Sequence, residues 1–396
     1  MKSYLLPSKI RRNDQSRYKY LNLGAWCSVY DGGKDSINDK NTLSHPWENI
    51  SKFNNDYREI SKIYEKCLEN IRYILNDHFK NNYSLRFWRI LIGAYLNLII
   101  TKIYEKKILI SKSNKIGKFT IREFHYKIQN FSTNNYSQFL KISEGDEWNY
   151  YIFLRYIKIF ETRNIKIYKN KFKLKPLTKI KKKITNKLRL FLNLVNNNEV
   201  IFYNSRIAKK DKIYLGIKNL KFFSNYFPTF QSNSHLDIKL RECLFEKYSE
   251  KFNEHHKYMK LIFENMPLDF LEDFNKIKKK LNQIFLPEKP KVIYTSNLVS
   301  QDNLFVRYTC EALEKGTKLI YSQHGGNYGN LSKNWFEEHE ILISDFYLTW
   351  GWKKNLKKVK NFGKNVVHSE IIRKDFVPSK HKKILIITNS ASHKYI

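Results

Sequence analysis

The stretch from Lys291 to Trp352 decides the fold class: KVIYTSNLVSQDNLFVRYTCEALEKGTKLIYSQHGGNYGNLSKNWFEEHEILISDFYLTWGW. Three runs within it are rich in β-branched and aromatic residues and end in small or polar residues: 291–297, 318–326 and 345–351. The residues between the first two runs have helical periodicity, and Gly316 stands where a glycine often terminates a helix. Strands that alternate with helices in this way predict a parallel sheet in an α/β fold.

The rest of the chain divides into a helical N-terminal part and a continuation of this α/β region. Apolar residues recur at spacings of three and four over about 51–79, and a second helix is predicted over about 84–112. With a strand followed by a loop over 19–30 ahead of these helices, residues 1–163 are predicted to be mainly helical. Residues 190–380 are predicted to form a Rossmann-like α/β portion around the quoted stretch.

Two further segments are assigned by composition. Residues 164–189 are dense in lysine with few acidic residues, so they form either a phosphate- or lipid-facing patch or a solvated linker or insertion. We favour the linker or insertion because no aromatic platform or arginine cluster organises the segment. Residues 381–396 contain an apolar run, KKILIITNS, which is interpreted as the first strand of a truncated second Rossmann-like domain. It could instead join the preceding sheet.

The formal net charge of +36 over 396 residues raises the question of an anionic partner. A positive excess of this size is typical of proteins that bind nucleic acid or an anionic membrane surface. Here, however, lysine far outnumbers arginine while Asn, Ile, Tyr and Phe are abundant, which is the joint bias that AT-rich codons produce. We therefore do not expect nucleic acid as a partner, and we expect at most peripheral contact with anionic lipid headgroups.

Three features of the sequence bear on the compartment. The N-terminal residues lack the apolar core of a secretory signal. The most apolar run, Phe87 to Ile100, is shorter than the roughly 20 residues of a membrane-spanning helix, which predicts a buried helix. The four cysteines lie far apart, without CxxC or zinc-type spacing. We expect a cytoplasmic protein with free, mostly buried thiols, at most peripheral to the inner face of the membrane.

Polar residues follow each of the three predicted strands and are the best candidates for a functional site. The ligand of an open parallel sheet lies beyond the carboxyl ends of its strands, where these residues should converge. In strand order they are Ser296 and Asn297, then Gln323, His324, Gly325 and Gly326, and then Trp350. Tyr328 continues the loop after the second strand. The sequence therefore predicts a substrate site at this edge of the sheet.

His324 is the strongest candidate for a catalytic residue. A neutral imidazole can take a proton from an attacking hydroxyl group near pH 7, and a protonated one can pair with a phosphate. The two glycines that follow permit close approach of the backbone, and free N–H groups in such a turn can bind an anion. A histidine that merely closes a strand turn is the alternative.

Charged residues elsewhere are weaker candidates. Arg86 and Arg89, near the start of the second helix, pair either with carboxylates of the core or with a substrate phosphate. The acidic pair at 337–338 is interpreted as a solvated helix face, whereas residues 339–340 point differently and are candidates to face the cleft. No group of histidine, cysteine or acidic residues has metal-site spacing, so no metal is expected.

Several segments, in this order, together resemble a known family: LGAWCSVY (23–30), HPWENISKFNNDYREISKIYEKCLENIRYILNDHF (45–79), SLRFWRILIGAYL (84–96), DEWNYYIF (146–153), QHGGNYG (323–329) and HEILISDFYLTWGW (339–352). Its members are transferases encoded in bacterial surface-carbohydrate gene clusters, including O-antigen and nonulosonic-acid clusters. The resemblance implies two Rossmann-like domains arranged as in GT-B glycosyltransferases. The histidine–glycine turn is also similar to that of CDP-glycerol glycerophosphotransferases.

The resemblance implies a transferase that moves a group from a nucleotide-linked donor to a carbohydrate or lipid-linked acceptor, with no tightly bound cofactor. It implies a base or phosphate-binding role for His324. The chain departs from the family at both ends, with a shorter N-terminal lead-in and only residues 381–396 of the second domain. A truncated, inactive chain is therefore one alternative. A basic protein that binds nucleic acid or anionic membrane without catalysis is another.

Overall fold

The computed structural model describes residues 3–7, 19–27, 41–160, 162, 164–173, 199–205, 227–228, 230, 232–284, 286–298 and 303–361. These residues form a helix-rich α/β fold with two parallel sheets. The strands are β1 (Ser3–Leu6), β2 (Lys19–Asn22), β3 (Phe119–His125), β4 (Ile165–Lys173), β5 (Val200–Phe202), β6 (Val292–Thr295), β7 (Lys318–Ser322), β8 (Phe346–Thr349) and β9 (Val359–Asn361). The α-helices are α1 (Ile50–Phe79), α2 (Leu85–Ile116), α3 (Tyr136–Ser143), α4 (Asp146–Phe160), α5 (Ile238–Lys247), α6 (His256–Asn265), α7 (Phe274–Leu281), α8 (Asn303–Glu314) and α9 (Trp335–Ile343).

The predicted parallel sheet is confirmed. Its strands lie in the order β5-β6-β7-β8-β9, and every neighbouring pair is parallel. Helix α8 connects β6 to β7 and α9 connects β7 to β8, which is the strand–helix–strand pattern that the sequence predicts. The sheet interior is apolar and buried, for example at Ile293 and Leu319. Because all five strands run the same way, the residues that follow β6, β7 and β8 meet at one edge.

A second parallel sheet lies largely within residues 1–163. The described residues of this part are mainly helical, as predicted, but the sequence does not reveal that three of its strands join β4 in a sheet. Its order is β2-β1-β3-β4, with all neighbouring pairs parallel. The strand predicted at 19–30 contains β2, but the sequence patterns do not reveal β1, β3 or β4. Strand β1 is only four residues long, and polar residues interrupt the apolar positions of β3 and β4.

Strand β4 also corrects the interpretation of residues 164–189. The first part of this lysine-rich segment is an edge strand, in which Ile165 is buried and Lys166 is exposed. Lysines are common on edge strands because charge discourages pairing with another chain. The linker interpretation is therefore wrong for 165–173. The remainder, 174–189, lies outside the described residues, and so does the strand predicted within 381–396.

Two long helices, α1 and α2, connect the sheets. Helix α1 begins after Asn49, whose Oδ1 accepts a hydrogen bond from the backbone N–H of Lys52 at 2.9 Å. Helix α2 begins after Ser84, whose Oγ accepts from the N–H of Phe87 at 3.1 Å. Helix α2 packs against α8 and α9, which flank the five-stranded sheet, and leads at its other end into β3 of the four-stranded sheet.

Helix α2 is the core helix of the protein. It is long and apolar enough to cross a membrane, alone in this respect among the described residues, yet 78% of its apolar window is buried inside the protein. Such burial is what the sequence predicts for Phe87 to Ile100. Ile99 of α2 belongs to one continuous hydrophobic core with Ile121 of the first sheet and Ile293 of the second. The helices and both sheets therefore form one packed unit.

Candidate active site

A cavity of about 570 Å³ lies beside the turn that follows β7. One side, here called the loop wall, consists of His324, Gly325, Gly326, Asn327, Tyr328, Leu331, Lys333, Asn334, Trp335 and Phe336. The other side, here called the helical wall, consists of Trp47, Phe53, Tyr57, Ile60, Ser61, Asn97 and Thr101 from α1, α2 and the segment before α1. The predicted histidine–glycine turn thus faces an open cavity, and helices from the N-terminal part of the chain complete it.

Gln323 shapes the turn from beneath the loop wall, with only 2% of the residue exposed. Its Nε2 donates to the carbonyl oxygen of Gly325 at 2.7 Å. Its Oε1 accepts from the backbone N–H of Trp350 at 3.0 Å and from Nε1 of Trp352 at 2.8 Å. These bonds tie the turn after β7 to the turn after β8. The geometry makes Gln323 a positioning residue, whereas the sequence indicates a direct contact with substrate.

His324 lies at the edge of the cavity with 23% of its side chain exposed. Its Nδ1 is 3.7 Å from Oε1 of Glu340, a residue of α9 that is almost completely buried. The ring of Tyr328 packs edge-on against the imidazole, with the ring centroids 5.1 Å apart. The imidazole is therefore held between a buried carboxyl group and an aromatic ring, while part of it stays open to the cavity.

Glu340 is enclosed by tyrosines. Its Oε1 accepts a hydrogen bond from the hydroxyl of Tyr328 at 2.9 Å, and its Oε2 accepts from the hydroxyl of Tyr347 at 3.3 Å. Burial raises the pKa of Glu340 to about 8, although the hydrogen bonds from the tyrosines act in the opposite direction. A carboxyl group that can gain or lose a proton near neutral pH suits a partner for a histidine that takes up a proton during a reaction.

The backbone of the turn could bind an anion. The N–H groups of Gly325, Gly326 and Asn327 donate no hydrogen bond within the described part of the chain. A Cβ at Gly326 would meet no atom of the described residues within 4 Å, so a ligand can approach this backbone closely. Lys333 adds positive charge to the same wall. By contrast, no group of three or more His, Cys, Asp or Glu residues is placed to hold a metal ion within the described ranges.

Glu337 is buried, so the interpretation of 337–338 as a solvated helix face is wrong for this residue. It is 5% exposed and accepts hydrogen bonds from the N–H of Gly329 at 2.7 Å and from Nζ of Lys354 at 3.1 Å. Gly329 has a φ of +76°, and a Cβ there would lie 2.6 Å from the ring of Trp352, so this position requires glycine. Glu337 therefore fixes the end of the loop wall.

The helical wall is largely aromatic and carries uncharged polar groups. Trp47 and Tyr57 line the cavity, and the hydroxyl of Tyr57 donates to Glu338 of α9 at 2.7 Å, which joins the two walls. Asn97 and Thr101 of α2 also line the cavity, and their side chains make no hydrogen bond with the described residues. An aromatic surface beside free amide and hydroxyl groups can bind a sugar ring through stacking and hydrogen bonds.

Arg86 and Arg89 do not line the cavity. Arg86 donates to the carbonyl oxygen of Ile343, at the end of α9, at 2.9 Å and 2.6 Å, and pairs with Asp345 at 2.8 Å. Arg89 binds both carboxylate oxygens of Glu65 on α1 at 2.7 Å. Of the two roles that the sequence leaves open for these arginines, the geometry supports pairing with protein carboxylates and not contact with a substrate phosphate.

The remaining predicted residues lie at the same edge of the sheet but outside the cavity lining. Ser296 is buried, and its Oγ lies 2.6 Å from Oγ of Ser322 and donates to the carbonyl oxygen of Ser205 at 2.8 Å. Asn297 and Trp350 are half-buried in the loops after β6 and β8. The cavity therefore receives the predicted residues of the turn after β7, and Trp350 after β8 is bonded to that turn through Gln323.

The sequence suggests that both His339 and Glu340 face the cleft, but in the structure they point in different directions. Glu340 faces His324, but His339 packs against α2 beside Gly93. The ring of His339 stacks on Trp335, with the centroids 4.5 Å apart and an interplanar angle of 17°. Burial lowers the pKa of His339 to about 3, so the imidazole is neutral near pH 7. His339 therefore contributes to packing and not to the cavity.

Of the tyrosines around Glu340, sequence reasoning finds Tyr328 but misses Tyr321 and Tyr347. Tyr321 and Tyr347 lie on neighbouring strands, where they are paired in register and both are buried. In the sequence, each is one aromatic residue among many in a chain with 27 tyrosines. The only signal that could have revealed them is the alignment of the two strands, which places both rings on the same face of the sheet.

Comparison with known proteins identifies the family. No curated protein and no solved structure is detectably similar to the chain. The model of one protein family, described as LIC12162 family transferase, matches residues 3–396, which is nearly the whole chain. The chain therefore belongs to the LIC12162 family of transferases.

Proposed function

We propose that this transferase moves a glycosyl or glycerophosphate-type group from a nucleotide-linked donor to a hydroxyl acceptor in bacterial cell-surface polysaccharide biosynthesis. Family membership gives the reaction class, because the family is one of transferases. The resemblance of the ordered sequence segments supports the substrate class. The two parallel sheets support the proposal that the fold is arranged as in GT-B enzymes, in which the reaction takes place between two Rossmann-like domains.

The position of His324 is the observation that carries the proposal. Its imidazole opens on the cavity, and a buried carboxyl group, Glu340, lies 3.7 Å behind its Nδ1. An alcohol is a poor nucleophile until a base removes its proton, and a histidine can act as that base near neutral pH. This arrangement of a base between a cavity and a buried carboxyl group supports a transfer to a hydroxyl group.

In the proposed reaction, the acceptor hydroxyl gives its proton to His324 as its oxygen attacks the donor. A bond forms between this oxygen and the transferred group, while the bond from that group to the nucleotide phosphate breaks and its electron pair leaves with the phosphate. Glu340 in its ionised form stabilises the imidazolium that results. The free N–H groups of Gly325 and Gly326 stabilise the charge on the departing phosphate.

The helical wall fits the acceptor side of this reaction. Its aromatic rings, including Trp47 and Tyr57, can stack on the apolar face of a sugar. Asn97 and Thr101 can exchange hydrogen bonds with sugar hydroxyl groups, because their side chains have no such bond within the described residues. The two walls thus divide the task, with donor phosphate and base on the loop wall and acceptor on the helical wall.

The proposal is tested by donor turnover. The purified full-length chain is incubated with CDP-glycerol and with UDP-, GDP- and CMP-linked sugars, and release of the nucleotide is measured with and without lipid-linked oligosaccharide acceptors. We expect release from one donor class, strongly reduced in His324→Gln. A matched control is His235→Gln, because His235 is exposed and lies outside the cavity lining. Equal turnover by His324→Gln and the wild type would remove His324 from the mechanism, and no turnover of any donor would contradict the substrate class.

A further inference from the structure

Large apolar side chains are exposed together around α9. Five of the nine large hydrophobic residues that are exposed in the described part of the chain lie within 26 positions of one another: Leu331, Phe336, Leu342, Phe346 and Leu356, each 43% to 55% exposed. Exposed apolar residues scattered singly are ordinary, but a concentration in one region usually marks a surface that binds something.

A run of lysines lies beside these apolar residues. The segment WKKNLKKVKN (352–361) contains five lysines and no acidic residue, and no arginine occurs from Leu331 to Asn361. Lys353, Lys357 and Lys360 are exposed, with Leu356 exposed between them. This local composition has aliphatic and cationic side chains interleaved on the same short segment.

Two contacts show that the lysine run lies along α9. Near the start of the helix, Nζ of Lys354 is 3.1 Å from the carboxylate of Glu337. Near its end, Nζ of Lys358 donates to the carbonyl oxygens of Leu342 and Ser344, both at 3.2 Å. The lysine run therefore lies beside α9, which carries the exposed Phe336 and Leu342; the lysine run and the five exposed apolar residues are here called the basic apolar face.

We propose that the basic apolar face docks on the surface of an anionic lipid bilayer. Lysines gain energy from a negatively charged leaflet, and exposed Leu and Phe side chains gain energy by entering the boundary between headgroups and acyl chains. A nucleic-acid surface fits less well, because the face offers no arginine fork for phosphates and bases, whereas its exposed Leu and Phe side chains have no partner on a nucleic acid. An anionic bilayer can interact with the lysines through its headgroups and with the exposed apolar side chains through its acyl chains.

Docking through the basic apolar face would bring the cavity close to the membrane surface. Leu331 and Phe336 belong to the basic apolar face and also line the loop wall. The mouth of the cavity therefore lies at the border of the proposed docking surface. On the proposed function, a lipid-linked acceptor in the bilayer could enter the cavity directly. The docking itself does not depend on that function, because it concerns only the exposed surface.

Vesicle binding tests the proposal. Co-flotation of the full-length chain is measured with phosphatidylglycerol–phosphatidylcholine vesicles and with pure phosphatidylcholine vesicles at several salt concentrations. We expect binding to the anionic vesicles that falls with salt. The triple variant Lys353→Gln/Lys357→Gln/Lys360→Gln should weaken it by about 100-fold, since each lysine near an anionic surface contributes on the order of fivefold.

Two further variants separate the basic apolar face from net charge alone. Lys239→Gln/Lys279→Gln/Lys280→Gln removes the same charge from exposed lysines elsewhere and should bind vesicles within about threefold of the wild type, because its lysines lie outside the face. Leu342→Gln/Leu356→Gln keeps every charge and should still lose binding. Absence of vesicle binding, equal losses in the two lysine variants, or preferential binding to duplex DNA would overturn the proposal. None of these outcomes bears on donor turnover, so the proposed function is tested separately.

Discussion

The two walls of the cavity use polar residues in different ways. Behind the helical wall, two arginines of α2 are already paired with protein carboxylates, Arg89 with Glu65 and Arg86 with Asp345. On the loop wall, the imidazole of His324 is partly exposed to the cavity, and several backbone N–H groups donate no hydrogen bond within the described residues. The difference indicates that the helices fix the shape of the cavity, whereas the strand-end turn supplies its reactive groups.

The largest loss of activity should come from changing Glu340, which lies behind His324 of the loop wall. Glu340→Gln keeps the size of the side chain but cannot ionise, so the imidazolium of His324 loses its counter-charge. We expect kcat to fall by up to about 100-fold, because misplacing or weakening the support of a catalytic group has effects of this order. Steady-state kinetics with saturating donor and acceptor measure the effect. An unchanged kcat would show that the buried carboxyl group has no part in the reaction.

A smaller effect is expected from the polar residues of the helical wall. Thr101→Val and Asn97→Leu remove polar groups that make no hydrogen bond with the described residues and can bind an acceptor hydroxyl, with little change in side-chain size. Each should raise KM for the acceptor by about three- to tenfold, which corresponds to the loss of one hydrogen bond, and should leave KM for the donor unchanged. Kinetics with each substrate varied in turn separate the two values. A rise in KM for the donor alone would reverse the assignment of the walls.

Glu340 and His339, which are neighbours on α9, should give the pH dependence of folding stability opposite slopes. The pKa of Glu340 is raised from 4.5 to about 8, so the folded state keeps a proton that the unfolded chain has lost, and stability should decrease as pH rises through 4.5 to 8. The pKa of His339, packed against α2, is lowered from 6.5 to about 3, so stability should decrease as pH falls from 6.5 towards 3. Urea unfolding across this range, with Glu340→Gln and His339→Gln, measures both slopes. If Glu340→Gln kept the loss of stability between pH 4.5 and 8, or His339→Gln kept the loss below pH 6.5, that loss would not come from the substituted residue.

The smallest effect on catalysis is expected from Arg89. Arg89→Met removes the ion pair with Glu65, whose side chain is 46% exposed, so we expect a loss of roughly 1 kcal/mol in the free energy of unfolding. Neither kcat nor either KM should change by more than about twofold. Denaturant unfolding and steady-state kinetics check the two expectations. A large rise in KM for the donor would restore Arg89 as a phosphate-binding residue.

The sequence predicts the loop wall well and the helical wall poorly, for a physical reason. The strands around the histidine–glycine turn are buried on both faces of a parallel sheet, so their apolar runs are continuous and their ends are marked by polar residues. The contribution of α1 and α2 to the cavity depends on how distant segments pack, and no local pattern encodes that. Asn97 and Thr101, for example, lie within an apolar helix whose periodicity predicts only burial.

Tertiary packing also explains why the sequence does not reveal the four-stranded sheet and why the burial of Glu337 is not predicted. The edge strand β4 contains alternating lysines, which resemble a solvated segment when the neighbouring strand is unknown. Glu337 lies where a helix face would normally be solvated, but the loop that carries Gly329 folds over it. In both cases a charged residue occupies a position whose environment is set by tertiary contacts, so composition alone gives the wrong answer.

A double-mutant cycle between His324 and Glu340 tests the central claim most directly. Glu340 is inferred to act through His324, 3.7 Å away, and not on the substrate itself. The account therefore predicts that kcat of His324→Gln, reduced by about 10²- to 10⁴-fold as for the loss of a general base, is not reduced further when Glu340→Gln is added. Multiplicative losses in the double variant would contradict it, because the two residues would then act independently.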